Sequence, residues 1–325
     1  MLDQYGRTID YIRISVTDRC NLRCIYCMPK EGVQQVPHME ILSYDEIIKI
    51  SRICVSMGIQ NIKLTGGEPL VRKGIAGLLS NLKSIDGIKQ VTLTTNGVLL
   101  KEQLNDLVLA GLDGVNISLD TRNEEMFEKI TRKNNLSKVL EGIEEALHYS
   151  QLRVKINCVP LAGVNEDQWV LLAQMAKDQK IDVRFIEMMP IGLGKQYHGK
   201  TQDDIYRVLE QTYGTGKQMI GNFGNGPSVY VKFPGFCGNI GFISALSHKF
   251  CGTCNRVRLT AEGFLKPCLQ YGTGVDLRTL IRRGAAEEEI KEIIERTIYC
   301  KPKSHHFEEA KEEADEQRNM SGIGG

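Results

Sequence analysis

Short segments in which apolar and polar residues alternate recur through the first two thirds of the chain. Between them lie longer segments whose apolar residues return every three or four positions. The first pattern predicts strands near residues 10–17, 62–65, 91–95, 115–119, 152–159 and 182–187. The second predicts helices near 43–57, 74–84, 101–110, 123–130, 137–149 and 166–179. Strand and helix alternate strictly, as parallel βα units do. Ser43 followed by Glu46 reads as a capping box at a helix start, and Ser137 marks another start.

The parity within the strands carries more information than their number. One face collects Ile12, Ile14 and Val16, then Ile62 and Leu64, Val91 and Leu93, Val115, Ile117 and Leu119, Val154 and Ile156, and Val183 and Phe185; this face is expected to meet the helices. The other face collects Arg13, Ser15 and Thr17, Lys63 and Thr65, Thr92, Thr94 and Asn96, Asn116, Ser118 and Asp120, Lys155 and Asn157, and Arg184. A closed eight-stranded barrel fills its interior with branched apolar side chains, and an open doubly wound sheet buries both faces. Neither fits a face that is polar on every strand. The pattern predicts an incomplete (β/α)6 barrel with a polar concave face. Its cations must look onto anions or water, because an unpaired buried ion costs several kcal/mol.

After about residue 190, glycines break the pattern into loops and short strands, among them 229–233 and 241–244. Helices are expected over 276–282 and 285–298, and the charged stretch from Lys301 to Gln317 is expected to be mobile. We expect two domains, residues 1–220 with the partial barrel and 221–325 as a C-terminal extension. A net charge of +1 supplies no global field for nucleic acid or an acidic membrane. No apolar run is long enough to span a bilayer and the start lacks a secretory pattern, which predicts a cytoplasmic protein. Ten cysteines without secretory features read as metal ligands in a reducing compartment. Cys54, Cys158, Cys237 and Cys300 stand singly and receive no role.

The informative cysteines form two groups. Cys20, Cys24 and Cys27 follow the first strand in a C-x3-C-x2-C spacing; Cys251, Cys254 and Cys268 lie beyond the barrel. Three thiolates can hold three irons of a four-iron cluster and leave the fourth open to a small molecule. A zinc site completed by a fourth residue is the competing reading for each group. Arg256 and Arg258, at alternate positions beside the second group, suggest a bound anion. Gly214-Thr215-Gly216-Lys217 resembles a phosphate loop but lacks its leading glycine and the Ser or Thr that should follow. His305-His306 reads as part of a solvated face.

The first cysteine run, with Thr65-Gly66-Gly67-Glu68-Pro69 one βα unit later, resembles the radical S-adenosylmethionine enzymes. That resemblance implies a four-iron cluster on Cys20, Cys24 and Cys27. It also implies S-adenosylmethionine on the open iron, contacted by Tyr26, Gly67, Ser118 and Met189. The second cysteine group and the run 254–259 are similar to the branch of that family that cyclises GTP at the start of molybdenum cofactor biosynthesis. This implies a second four-iron cluster, with GTP spanning the two and held by Arg13, Lys63, Thr94, Lys155, Arg256 and Arg258. Lys63 stands where the branch more often has arginine, which keeps the charge without the bidentate fork. Arg184 and the terminal Gly324-Gly325 are expected to act within the active site. The implied partners are a flavodoxin or ferredoxin as electron donor and a cyclic pyranopterin monophosphate synthase downstream, the chain being a monomer or homodimer. The alternatives are a radical enzyme that modifies a peptide, and a non-catalytic iron–sulfur electron carrier.

Overall fold

The computed structural model describes residues 1–221, 223–307, 309 and 315–324. Six parallel strands appear where the alternation places them: β1 (Tyr11–Ser15), β2 (Asn61–Thr65), β3 (Gln90–Thr95), β4 (Gly114–Ser118), β5 (Arg153–Cys158) and β6 (Asp182–Ile186). Between them run α1 (Tyr44–Ser56), α2 (Ile75–Lys83), α3 (Leu100–Leu109), α4 (Glu124–Thr131), α5 (Leu136–Leu147) and α6 (Trp169–Asp178). The capping box at α1 forms in both directions: the Glu46 amide donates to Ser43 Oγ at 3.1 Å, and the Ser43 amide donates to Glu46 Oε2 at 2.7 Å. The start expected at Ser137 falls two residues later than the observed one, since α5 begins at Leu136 with Asn135 at its cap position.

The helix-facing side of the strands is as apolar as expected, with Ile12, Ile14, Leu93, Val115, Ile117 and Ile156 fully buried. Residues 201–299 hold more regular structure than glycine content suggested. They form α7 (Gln202–Tyr213), β7 (Lys217–Gln218), β8 (Val229–Lys232), β9 (Ile240–Ile243), β10 (Arg256–Leu259), β11 (Phe264–Lys266), β12 (Val275–Asp276), α8 (Leu277–Arg282) and α9 (Glu287–Tyr299). A short α10 (Met320–Ile323) precedes the chain end. Helix α7 was legible: Thr201 and Asp204 make a reciprocal capping box, and Ile205 and Leu209 bury one face at a four-residue spacing.

These elements join the barrel sheet. The strand order is β12-β11-β10-β1-β2-β3-β4-β5-β6-β9-β8-β7, with β10 parallel to β1 and β9 parallel to β6. The six expected parallel strands are therefore flanked by one more on each side. A division at residue 220 falls within this sheet, between β7 and β8. An aromatic group ties α7 to the same layer: Phe233 packs 5.8 Å from Tyr206, 6.4 Å from Tyr213 and 5.5 Å from Phe236, centroid to centroid. The stretch expected to be mobile is partly docked, for Lys301, His305 and Glu316 are buried. No helix among the described residues is long and apolar enough to cross a membrane.

Because Phe233 is buried in a layer continuous with the barrel, Phe233→Ala is expected to lower the stability of the iron-free protein by about 3–5 kcal/mol. Denaturant unfolding followed by circular dichroism should show one transition displaced as a whole. A second transition left at its original midpoint would contradict the continuity.

Candidate active site

The loop carrying Cys20, Cys24 and Cys27 is fastened to β2 by backbone contacts. The Gly67 amide donates to Thr17 O at 2.7 Å and the Glu68 amide to Arg19 O at 2.8 Å. A Cβ on Gly67 would stand 2.4 Å from Arg19 O, and one on Gly66 would stand 2.6 Å from Thr17 O. Both glycines are thus already required by the packing of the cysteine loop. Glu68 completes the fastening from a fully buried position. Its carboxylate accepts from the Leu70 amide at 3.0 Å, Thr95 Oγ1 at 2.7 Å and the Asn96 amide at 2.6 Å, while burial raises its pKa to about 7. On the other flank the Arg23 and Ile25 amides donate to Thr131 O and Ile130 O, at the end of α4.

The expected cofactor contacts lie on this loop and at or just beyond the C-terminal ends of β2, β4 and β6. Tyr26 donates its hydroxyl to Asp120 Oδ2 at 2.6 Å, just beyond β4, and Asp120 Oδ1 accepts the Val159 amide at 2.8 Å. Ser118 ends β4 opposite Asn157 of β5. Met189 lies beyond β6, where its carbonyl accepts the Ile191 amide at 2.8 Å. Burial pushes the Cys20 thiol up to about 11 and the Cys27 thiol up to about 12. Cys24 is raised by burial and by the nearby Cys27, Asp120 and Cys20.

The polar strand face encloses a cavity of about 590 Å³. Its walls carry Arg13, Lys63, Thr94, Lys155, Arg184 and Arg256, so five of the six expected substrate contacts, and Arg184, converge there. Lys63 is held well below its ordinary range, first by burial and then by Arg184, Arg13 and Lys155. Lys155 is lowered to about 7 by burial and Arg184, against the opposing pull of Asp182 at 3.6 Å. Lys155 also donates to Tyr230 Oη at 2.6 Å and to Phe223 O at 2.5 Å. Arg184 is aimed by Asn157, whose Oδ1 accepts from Nε at 2.9 Å and from Nη2 at 2.6 Å. Arg258 is the sixth expected contact; it lies off this cavity, and its Nη1 donates to Gly324 O at 2.7 Å.

Topology sets where the two cysteine groups stand. The first group follows the C-terminal end of β1. Cys251 and Cys254 precede β10, which runs parallel to β1 with Arg256 opposite Tyr11. Cys268 follows β11, antiparallel to β10 with Lys266 opposite Arg258, and so returns to the same end. The two groups are therefore carried on loops at opposite ends of the β1–β10 pair. Burial alone would raise the Cys254 thiol, but Arg256 and Lys301 outweigh it and bring it down to about 6. Arg256 Nη2 lies 3.7 Å from Cys254 Sγ. Each group offers three soft sulfur donors, the set a four-iron cluster with one open iron takes. Among the described residues no three His, Cys, Asp or Glu groups close on a single metal ion.

The C-terminal segment enters at the first group's end. Gly324 has φ +76°, and a Cβ there would lie 2.9 Å from Ser15 Cβ and 3.4 Å from Thr65 Cγ2. The Ser321 amide faces Cys27. Gly325 lies outside the described residues.

The model of the radical SAM superfamily matches residues 14–176, and the model named Molybdenum Cofactor Synthesis C matches residues 181–307. The "GTP 3′,8-cyclase" of Clostridium perfringens strain 13 is 46% identical over 328 residues, covering 100% of both chains. That of Heliobacterium modesticaldum is 45% identical over 329 residues, again covering 100% of both. The chain belongs to the GTP 3′,8-cyclase family of radical SAM enzymes. Its fold is shared with SuiB of Streptococcus suis bound to S-adenosylmethionine. There the TM-score is 0.60 at 16% identity, over 84% of this chain and 64% of that one.

Within this family member, the sequence placed Glu68 in the Gly66-Gly67-Glu68-Pro69 run and Asp120 on the polar strand face without revealing what they hold. Tyr230, which lines the lumen against Lys155, had no local signal. Gly67→Ala is expected to destabilise the iron-free protein by about 1–3 kcal/mol. Gly77→Ala, inside α2 where a Cβ meets nothing within 4 Å, should stabilise it by about 0.5–1 kcal/mol. Equal effects of the two in denaturant unfolding would contradict the packing role of Gly67.

Proposed function

We propose that the protein converts GTP to (8S)-3′,8-cyclo-7,8-dihydroguanosine 5′-triphosphate, the first step of molybdenum cofactor biosynthesis, with S-adenosylmethionine as radical source. The observation that carries this reading is a cationic lumen with a three-thiol group at each end, in a chain that matches the cyclases along its whole length. Cys20, Cys24 and Cys27 would hold a four-iron cluster that, with S-adenosylmethionine, would supply a 5′-deoxyadenosyl radical to take the C3′ hydrogen of GTP; closure of the C3′–C8 bond would then need one electron and one proton to give the 7,8-dihydro product.

The chain's own residues orient and shield. Tyr26, Gly67, Ser118 and Met189 surround the S-adenosylmethionine site, with Tyr26 fixed by Asp120. Cys251, Cys254 and Cys268 would hold a second four-iron cluster, whose open iron would bind the guanine; the three-thiol donor set and Arg256 beside Cys254 support this. Arg13, Lys63, Lys155 and Arg256 hold the triphosphate, with Thr94 alongside. A polyanion relieves the mutual repulsion that burial imposes on these cations. Arg184, positioned by Asn157, acts beside them. Arg258 acts on the substrate by holding Gly324, which excludes water from the reacting carbon. Residues 1–220 form the catalytic barrel and 221–325 the part that presents GTP. A flavodoxin or ferredoxin supplies the electron in a reducing cytoplasm, and the product passes to a cyclic pyranopterin monophosphate synthase.

Anaerobic incubation of reconstituted protein with S-adenosylmethionine, dithionite and GTP is expected to yield a cyclised guanosine triphosphate, detected by mass spectrometry. Joint replacement of Cys251, Cys254 and Cys268 by alanine should lower that yield at least a hundredfold while S-adenosylmethionine cleavage persists. Cleavage indifferent to GTP, with no guanine-derived product, would refute the proposal.

The lowered Lys155 also gives a pH signature. With its pKa near 7, the side chain is mostly neutral at pH 8 in the free protein. A bound triphosphate favours the charged form and draws a proton in. Calorimetry at pH 8 in buffers of different ionisation enthalpy should show net proton uptake on GTP binding, and Lys155→Met should diminish it. Proton release or buffer-independent heats would contradict this.

A further inference from the structure

Two buried cations outside the lumen take no part in the chemistry above. Arg7, in the N-terminal segment, is 7% exposed. Its Nε donates to Asp3 Oδ2 at 2.5 Å, its Nη1 to Cys251 O and Lys303 O at 2.9 Å each, and its Nη2 to Pro302 O at 2.7 Å and Lys301 O at 3.3 Å. Lys301, 3% exposed, donates from Nζ to Arg256 O at 2.9 Å and to Pro267 O.

The acceptors form a pattern. One is the carbonyl of Cys251 itself, one belongs to the second residue after Cys254, and one belongs to the residue before Cys268. Every limb of the second cysteine group is therefore gripped by one of two cations that come from opposite ends of the chain. Arg7 also holds the 301–303 backbone, which fixes Lys301 in turn. A buried cation is costly unless charges or aligned dipoles compensate it. Arg7 has Asp3, whereas Lys301 faces two carbonyls and lies within electrostatic reach of the Cys254 sulfur.

We propose that Arg7 and Lys301 are positioning residues for the second cluster. Arg7 sets the Cys251 limb and the 301–303 backbone, and Lys301 joins the Cys254 and Cys268 limbs and offsets the negative charge of a thiolate-ligated cluster. The proposal rests on the reading that Cys251, Cys254 and Cys268 hold such a cluster. Groups behind the ligands of a metal centre commonly change its affinity by 10–100-fold when removed. A nearby positive charge also favours the reduced form of a cluster.

The test uses full-length protein reconstituted anaerobically, with iron and sulfide counted and the dithionite-reduced state examined by electron paramagnetic resonance. Arg7→Gln and Lys301→Met are each expected to take the iron content from about eight toward four per chain. The signal of the first cluster, and its change on adding S-adenosylmethionine, should remain. Lys301→Arg should restore iron at the second group, and any second cluster retained in Lys301→Met should titrate at a more negative potential. Full iron content with an unchanged potential in both variants would overturn the proposal. So would equal loss at both groups, which would mean a general structural role. Wild-type iron content in the Cys251→Ala, Cys254→Ala, Cys268→Ala protein would instead overturn the cluster reading beneath it.

Discussion

Like charge gathered on one wall governs this molecule. Arg13, Lys63, Lys155 and Arg184 come from β1, β2, β5 and β6, and parallel register turns them all into the same lumen. Burial and mutual repulsion together lower Lys63 and Lys155. The fold answers with polar filling rather than apolar packing: Asn157 against Arg184, Tyr230 and the Phe223 carbonyl against Lys155, and Asn116 donating to Thr94 at 3.4 Å. A ligand with several negative charges is what such a wall discriminates for, and a neutral peptide would leave it uncompensated.

The two ends of the lumen are built by different means. At the end that carries Cys20, Cys24 and Cys27, local backbone packing fixes the cysteine loop: Gly66 and Gly67 admit it, and Glu68 and Asp120 lock the strand ends around it. At the other end, the barrel holds the Cys254 loop through Asn255, which bonds Asp10 and Tyr11, but the remaining limbs need more. Remote segments do this work, through Arg7, Lys301 and the fully buried Lys266, which pairs with Glu316 of the C-terminal stretch. The chain termini are thus structural parts of the site, and Gly324 at the C-terminal end reaches Ser15 and Thr65 in the lumen.

Much of this was legible in the sequence, for definable reasons. Strand parity announced the polar lumen because side chains alternate at period two whatever the tertiary context. The cysteine spacings and the Gly-Gly-Glu-Pro run were legible because a cluster and a strand-end turn constrain neighbouring residues. The pairing of β10 with β1 was not, since nothing in Arg256–Leu259 names a strand more than 240 residues away as its partner. The docking of the C-terminal stretch was misread for a related reason. Its charges look solvated until Lys266 and Arg7 are known to lie beside them. Arg7 and Lys301 were invisible because their acceptors are backbone carbonyls, which every residue carries. Glycine density hid α7, although its capping box and its Ile205 and Leu209 spacing were present to be read.

The central claim is that a radical made beside Cys20, Cys24 and Cys27 meets a nucleotide held along the lumen by the opposite wall and the second cysteine group. The most direct measurement is anaerobic turnover with GTP carrying deuterium at C3′, followed by mass spectrometry of the 5′-deoxyadenosine formed. The account predicts deuterium in the 5′-deoxyadenosine and its loss from the cyclised nucleotide. Unlabelled 5′-deoxyadenosine, with the deuterium kept at C3′, would contradict it.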